Sequence, residues 1–541
     1  MPKPFPKKFI ERIQEILPES EWESFFETCT EPLPRTVRLC TNFDQPEGWT
    51  LHPVSGLSQA RFLERTDQKE KPLGKTLEYF TGRMYPASLA SLLSAEVLNA
   101  QPGEKVLDLC AAPGSKTTAL AEKVGDGVVV ANELSASRSK KLAANVDRLG
   151  LINVVLTQTD GTHMDTFFDQ EFSRVLLDAP CSSEGFGRKS ADFFQKHWAE
   201  HQIFQCAKVQ KKLIAAAWQM LRPGGEMVYS TCTSSPEENE GVIQFLLEKF
   251  GAGVEVLPID LRDIPHETGI ESFGSDLFAD EISENTRRLW PHLRSQTWNS
   301  EIFFLAKLRK VSATSRMPAE KKQTKNSSRI LPKNQTAEIL TRLAKRYGIP
   351  REMFGNPTVL ERGGECFFAT AAAAQFAIKN PHRRAGLKIL DAHDQPTTEW
   401  ALKFGDLATE NVLELGEKEA EKFLEGLDLP LQEPRNFEDG TAVLVRKNGT
   451  CIGWGKVIKS GSLLKNKLDR SLVFGQENEI CYPPPDEKNI CTDFGFLFAH
   501  SLHSRRRAGR KYGKHVRCHQ GSGDGNGLCR RDLWGCCCKT L

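Results

Sequence analysis

The chain has 541 residues, enough for two to four domains with sizeable cores. Its 72 basic and 70 acidic side chains leave a net charge of +2, which excludes a generally basic nucleic-acid coat and confines any such surface to a local patch. No 18-residue apolar run or signal-peptide core occurs, and 15 cysteines without framework spacing read as free thiols of a soluble cytoplasmic protein that does not meet a membrane.

Residues 5–30 place Phe9, Ile13, Ile16 and Leu17, then Trp22, Phe25 and Phe26, at helical spacing, which predicts a small helical cap. PRTVRLCTN (34–42) reads as a strand and YPASLASLLSAEVL (85–98) as a helix. The centre of the chain is KVLDLCAAPGSKTT (105–118). Val106, Leu107 and Leu109 make the short apolar run of a buried parallel strand. The run stops at the turn Cys110-Ala111-Ala112-Pro113-Gly114-Ser115-Lys116, and a helix follows with Ser115 as its predicted N-cap. Strand, tight turn and helix N-terminus form the crevice in which doubly wound sheets bind nucleotides. Gly114 lets the backbone approach a ligand, and the free N–H groups of the helix start favour an acidic group.

GVVVANE (127–133) is a second strand, ending in Glu133, which is placed to accept two ribose hydroxyls of an adenosine. VVLTQTD (154–160) is a third, with Asp160 beyond its end where it can meet an adenine amino group. RVLLDAPC (174–181) is a fourth, carrying Asp178, Pro180 and Cys181, and EMVYSTC (226–232) is a fifth, ending on Cys232. Any one of these acids read singly is a solvated loop carboxylate. Polar groups recurring at successive strand ends mark the ligand edge of an open α/β sheet.

Between the strands, LSASRSKKLAANVDRLG (134–150) is an amphipathic helix ended by Gly150, and residues 192–221 are mostly helical, closed by Arg222-Pro-Gly-Gly. Ser235-Pro-Glu-Glu predicts a further helix start, with Ser235 as N-cap and Glu238 in capping-box position. Two more strands are expected near 254–260 and 301–309, forming an antiparallel hairpin, with RRLWPH (287–292) just before the second. Residues 311–333 are a polar, lysine-rich linker. LTRLAKRYGIP (340–350) is then a basic helix, and VLVRKNGTCIGWGKVIKSG (443–461) is a hairpin around Asn448-Gly449. The tail 501–541 combines an arginine cluster, a glycine-rich run and Cys536-Cys537-Cys538; it reads as disordered, with no zinc-ligand spacing.

The Cys-Ala-Ala-Pro-Gly-Ser-Lys turn, Asp-Ala-Pro-Cys and Ser-Thr-Cys-Thr resemble the Sun-domain family of RNA cytosine 5-methyltransferases over roughly residues 30–310. The resemblance implies a seven-stranded Rossmann-like methyltransferase sheet at 96–310, behind an N-terminal α+β RNA-binding region at 1–95. Arg35 and Arg38 resemble the basic strand of that region, although a solvated strand face is equally compatible. RRLWPH resembles the family's substrate-side loop, and Trp290 is equally compatible with a core position. Arg-Ala-Gly-Leu (384–387), Gly-Trp-Gly-Lys (453–456) and Leu-Lys-Asn (464–466) resemble the PUA-like carboxyl-terminal module of bacterial enzymes that methylate a cytosine of 16S ribosomal RNA, here at 334–500.

The implied cofactor is S-adenosylmethionine, held by residues 110–116, Glu133, Asp160 and Asp178. The implied partner is ribosomal RNA within a small-subunit particle, met by a monomer. Carbon 5 of cytosine becomes nucleophilic only after a thiolate adds to carbon 6. The family pattern gives that attack to Cys232 and product release to Cys181. A DNA-type enzyme would use the Pro-Cys position, so spacing by itself leaves the two open. Asp178 has two possible tasks, binding the methionine amine or bonding the cytosine edge. Lys116 and Lys189 are both candidates for lowering the pKa of the thiol, and Cys110 and Cys206 read as structural. A transfer-RNA enzyme and a non-catalytic RNA-binding assembly factor are the competing functions. A nicotinamide dehydrogenase would need Gly-x-Gly-x-x-Gly at the 110–116 turn, which is absent.

Overall fold

Strands made of unbroken valine and leucine need cover on both faces, and here they build a parallel sheet. In the computed structural model, which describes residues 5–40, 49–65, 73–190, 192–314, 328–431 and 437–472, five strands run parallel. They are β1 (Lys105–Asp108), β2 (Val128–Asn132), β3 (Val154–Thr157), β4 (Phe172–Asp178) and β5 (Leu221–Thr231), in the spatial order 3-2-1-4-5. Val106, Leu107, Val129, Val130, Leu176 and Leu177 are fully buried between helical layers. Helix α1 (Ser115–Val124) follows β1, α2 (Ala136–Arg148) follows β2, α3 (Glu200–Met220) leads into β5, and α4 (Glu240–Phe250) follows it. The winding direction reverses between β1 and β4, so a crevice opens beyond their carboxyl ends.

β6 (Val254–Leu257) and β7 (Phe303–Lys310) complete seven strands. β7 lies antiparallel beside β5, with Leu305 opposite Ser230, and β6 pairs with it, Val254 opposite Lys310. Arg222-Pro-Gly-Gly is the exposed beginning of β5 rather than a break before it. Phe172 faces Leu221 and Arg174 faces Glu226, so those residues bulge out of register.

Three short strands extend the sheet to ten: Arg287–Leu289 and Glu267–Thr268 beyond β7, and β8 (Arg384–Ala385) against β3. β8 comes from the carboxyl-terminal half. Close by, Phe376 of the helix Ala371–Lys379 stacks on Phe168 with centroids 5.5 Å apart, so the two halves share one core. The rest of that half forms an antiparallel sheet of residues 329–330, 358–362, 365–369 and 387–390, and a five-stranded sheet spanning 412–466. The predicted hairpin is present there: Ala442–Lys447 pairs with Thr450–Ile458 across Asn448 (φ 50°) and Gly449 (φ 75°), the positive angles that this turn requires. Most of the polar linker and the whole 501–541 tail lie outside the described residues.

At the amino terminus, helices Lys7–Ile16 and Trp22–Thr30 precede a four-stranded antiparallel sheet. Arg38 departs from its sequence reading. Its side chain is 2% exposed, pairs with Glu122, and donates to Thr118 Oγ1 at 2.9 Å, so it fastens this sheet to α1 instead of facing RNA. Arg35 stays exposed, over the Trp49 ring at 5.6 Å. Trp290 is a core residue, its indole N–H bonded to Glu267 at 2.6 Å.

Candidate active site

The turn after β1 is tied down from three sides. Ala111 N–H donates to Asn132 O at 2.8 Å, Asn145 Nδ2 to Pro113 O at 2.9 Å, and Arg138 to Ala112 O at 2.9 Å. Gly114 (φ 111°) is the N-cap of α1 and Ser115 its first helical residue, so the helix starts one position earlier than the sequence suggested. The left-handed angle favours glycine at that corner, and a Cβ there would stand 3.1 Å from Leu142. The Ser115 hydroxyl is 3.3 Å from Ser91 Oγ. Beneath the turn, burial pushes the Asp108 carboxyl up to about 7; one oxygen accepts from Thr117 at 2.6 Å and the other has no partner. Burial likewise raises the Cys110 and Cys206 thiols far above their ordinary range, which leaves both inert.

Acidic groups sit at the neighbouring strand tips. Glu133 is buried just past β2; Oε1 accepts from Ser135 N at 2.9 Å, and Arg138 stands 3.7 Å from Oε2. Asp160 is 39% exposed and accepts from Thr162 N at 3.0 Å, capping a 3-10 turn. Asp178 ends β4 directly opposite Ser230 of β5, whose hydroxyl donates to Oδ1 at 2.7 Å. Lys116 Nζ donates to Asp178 Oδ2 at 2.7 Å and to Ser91 Oγ at 2.9 Å. Three carboxylates around a positive-φ glycine suit the ribose hydroxyls, the adenine amino group and the ammonium of S-adenosylmethionine.

The same β4–β5 pairing brings the two candidate cysteines together. Cys181 follows β4, Cys232 follows β5, and their sulfurs are 3.2 Å apart. The hydrogen bond between the two thiols lowers the Cys232 thiol, with help from Lys189 and against burial and Asp178. The partnership raises Cys181 well above its usual range, and burial adds to that. Lys189, bonded to Glu301 at 3.2 Å, is the cation that acts on Cys232, whereas Lys116 is committed to Asp178.

Several residues of this site carried no legible signal in the sequence. Ser235 stands at the N-cap position of the 3-10 turn Pro236–Glu238, as the sequence suggests, but its hydroxyl makes no cap bond and donates instead to Glu184. Glu238 turns inward, accepts from Ser182 N at 3.0 Å and from Gln210 Nε2 at 2.8 Å, and is raised to about 8 by burial. Helix α4 starts later, after Asn239, whose amide bonds Thr231 and Thr233 O. Arg288 pairs with Glu240 at 2.5 Å and donates to Ser234 O at 2.8 Å. An acidic pair after a Ser-Pro start looks like helix capping in sequence; only the approach of the β4 loop redirects it.

A 3-2-1-4-5 sheet with an antiparallel seventh strand beside β5, and an acidic crevice at its switch point, defines a methyltransferase that uses S-adenosylmethionine. Residues 95–309 match the family model for 16S rRNA methyltransferase RsmB/F, and residues 410–474 match the methyltransferase RsmF PUA domain. Ribosomal RNA small subunit methyltransferase F of Klebsiella pneumoniae (strain 342) is 33% identical over 487 residues, covering 87% of this chain and 96% of the relative. The protein of the same name from Citrobacter koseri is 34% identical, with the same coverages. Among solved structures, a methyltransferase homologue from Pyrococcus horikoshii is 31% identical, covers 57% of this chain and 95% of its own, and superposes with a TM-score of 0.48. The chain belongs to the 16S rRNA methyltransferase RsmB/F family.

Proposed function

We propose that this protein methylates carbon 5 of a cytosine in 16S ribosomal RNA, with Cys232 as nucleophile and Cys181 as the group that releases the product. S-adenosylmethionine, when bound, supplies an electrophilic methyl group. The observation that carries covalent catalysis is the thiol pair at the ends of β4 and β5, with sulfurs 3.2 Å apart, and the lowering of Cys232 beside the raising of Cys181 supports this order of roles. A Cys232 thiolate bonds carbon 6 of the base, and the displaced ring electrons make carbon 5 nucleophilic. After carbon 5 takes the methyl group, its proton must leave, and the sulfur–carbon 6 bond then breaks to restore the ring.

The pair supports an order for these steps. Once Cys232 is bonded to carbon 6 it is no longer an anion, so its part in raising Cys181 ends while burial remains. A base must then take the carbon 5 proton, and Cys181 can do so only after its own thiol proton has passed to water. Asp178, fixed by Lys116 and Ser230, is placed to bond the cytosine edge or the cofactor ammonium. The base must leave its stack to reach the thiols, at a cost of about a few kcal/mol. We assign the RNA grip to residues 1–95 and 334–500, and expect a monomer in the cytoplasm acting on a small-subunit particle. Among the described residues no helix is long and apolar enough to cross a membrane.

The test is adduct trapping. Cys181→Ala should attack and transfer methyl but stall as a covalent protein–RNA complex that needs both RNA and S-adenosylmethionine. Cys232→Ala should be inactive, and the double variant should trap nothing. A trapped band from Cys232→Ala alone would reverse the roles, and intact methylation in both single variants would remove covalent catalysis by this pair.

A further inference from the structure

The two cysteine loops hold each other through buried carboxylates in a reciprocal arrangement. Glu184 lies three residues after Cys181 and reaches the Cys232 loop. It accepts from Ser234 N at 2.8 Å, from the Ser234 hydroxyl, from Ser235 Oγ at 3.2 Å, and from Trp198 Nε1 at 3.0 Å. Glu238 lies six residues after Cys232 and reaches back to the Cys181 loop, at Ser182 N. Between them, Ser182 Oγ meets Thr233 Oγ1 at 2.9 Å and Gly185 N donates to Cys232 O at 2.8 Å. Both carboxylates are at most 2% exposed. The loops are also shaped for this contact. Ser183 has a left-handed backbone (φ 62°), and a Cβ on Gly185 would stand 2.8 Å from Ile302 O.

We propose that Glu184 and Glu238 form a carboxylate clasp that sets the Cys181–Cys232 separation, and so act as positioning residues for the thiol pair. Neither touches a reacting atom. Burying two carboxylates side by side is costly unless each is fully bonded, so a clasp used only for stability would be poorly chosen. A sulfur–hydrogen bond weakens steeply with distance, and the proton placement on the pair depends on it. The groups facing Cys232 are Cys181, Asp178, Lys189 and Glu301, and those facing Cys181 include Glu238 and Cys206. Glu184 is not among those groups, so loosening the clasp through Glu184 leaves these charges unchanged and acts on the Cys181–Cys232 contact alone, whereas a change at Glu238 also removes a charge facing Cys181. The proposal rests on the thiol pair described under Proposed function.

Glu184 and Glu238 make different predictions because their partners differ. Each Glu184 oxygen accepts from one N–H, Trp198 Nε1 or Ser234 N, so Glu184→Gln must set its amide N–H against one of them and weakens the clasp. Glu238 takes its two shorter bonds on Oε2, with Oε1 reached by Ser182 N only at 3.4 Å, so a glutamine oxygen in the Oε2 position keeps Ser182 N and Gln210.

The experiment reads Cys232 alkylation by iodoacetamide against pH, without RNA, together with S-adenosylmethionine affinity and single-turnover methylation on the full chain. Glu184→Gln and Glu238→Ala should shift the alkylation profile to higher pH and slow methylation about 100-fold, with cofactor affinity unchanged. Glu238→Gln should restore most of what Glu238→Ala loses. If Glu184→Gln does not fold, Ser234→Ala, which removes one donor and keeps the backbone one, should give a smaller shift in the same direction. A wild-type alkylation profile in a folded clasp variant would overturn the proposal. Because alkylation is read without RNA, a shifted profile in a protein whose Cys232 never forms an RNA adduct would sink the catalytic assignment and leave the clasp standing.

Discussion

Arg384, on a strand contributed by the carboxyl-terminal half, closes a 2.6 Å ion pair with Asp147 at the end of α2 in the catalytic half. Beside it, Arg383 N–H donates to Leu156 O at 2.8 Å and Gly386 N–H to Val154 O at 2.9 Å, so β8 closes the open edge of β3. The carboxyl-terminal half therefore also completes the catalytic sheet.

Removing one partner of this largely buried pair should be expensive. Arg384→Ala leaves Asp147 buried without its main counter-charge and should cost about 3 kcal/mol in urea unfolding, near the lower end for broken buried pairs. Truncation at 333 should do more: it uncovers the β3 edge and Phe168, and is expected to yield an aggregating fragment rather than a clean catalytic domain. A soluble fragment with full cofactor affinity would show that the shared core is dispensable.

Cofactor affinity should separate the two strand-tip acids. Glu133 is buried and Asp160 is 39% exposed, so the bond lost in Glu133→Ala is worth the upper part of the roughly 1.5–3 kcal/mol range for charged hydrogen bonds, and that lost in Asp160→Ala the lower part. Calorimetry on the purified protein reads both. Glu133 also bonds Ser135 N at the start of α2, so a melting curve must accompany the measurement. Equal affinities in both variants and wild type would reject the placement.

Lys189→Met should raise the pKa of Cys232, because the nearby cation is lost while Glu301 keeps its charge. Alkylation at neutral pH should slow. Adding Glu301→Gln should recover part of the rate, since both charges are then gone. A rate that falls further in the double variant would show that the pair acts through packing alone.

Stability should decline from mildly acidic to alkaline pH. Burial raises Asp108 to about 7, Glu399 to about 7 and Glu238 to about 8, all above their unfolded values. The folded chain then binds more protons than the unfolded chain between about pH 4.5 and 8, and stability falls as pH rises through that window. Urea midpoints should be higher at pH 6 than at pH 8.5, and Glu238→Gln should flatten the slope. A midpoint that rises across the interval would show that these groups are ionised when folded.

The strands and the cofactor turn were legible because their signals are local. Val106 to Leu109 can only be a strand buried on both faces, and a glycine corner followed by a helix start announces the crevice. The Asn448-Gly449 hairpin was legible for the same reason: two positive φ angles are demanded by neighbouring residues. Reading failed where a side chain had two lawful uses. Glu238 fits a capping box as well as it fits a buried acceptor, and Arg38 fits a basic face as well as it fits a partner for Glu122.

Sequence alone determined an open α/β sheet with two cysteines after adjacent strands, because strand period and turn chemistry are properties of neighbouring residues, and the resemblance of its motifs implied a methyltransferase. It did not determine that Cys181 and Cys232 are 3.2 Å apart, or which lysine acts on Cys232. Those depend on β4 and β5 lying in register, on two carboxylates crossing between their loops, and on Asp178 having already taken Lys116. Each is a contact between segments about 50 residues or more apart in the chain, and the strength of a charge or a hydrogen bond follows separation in space rather than in sequence.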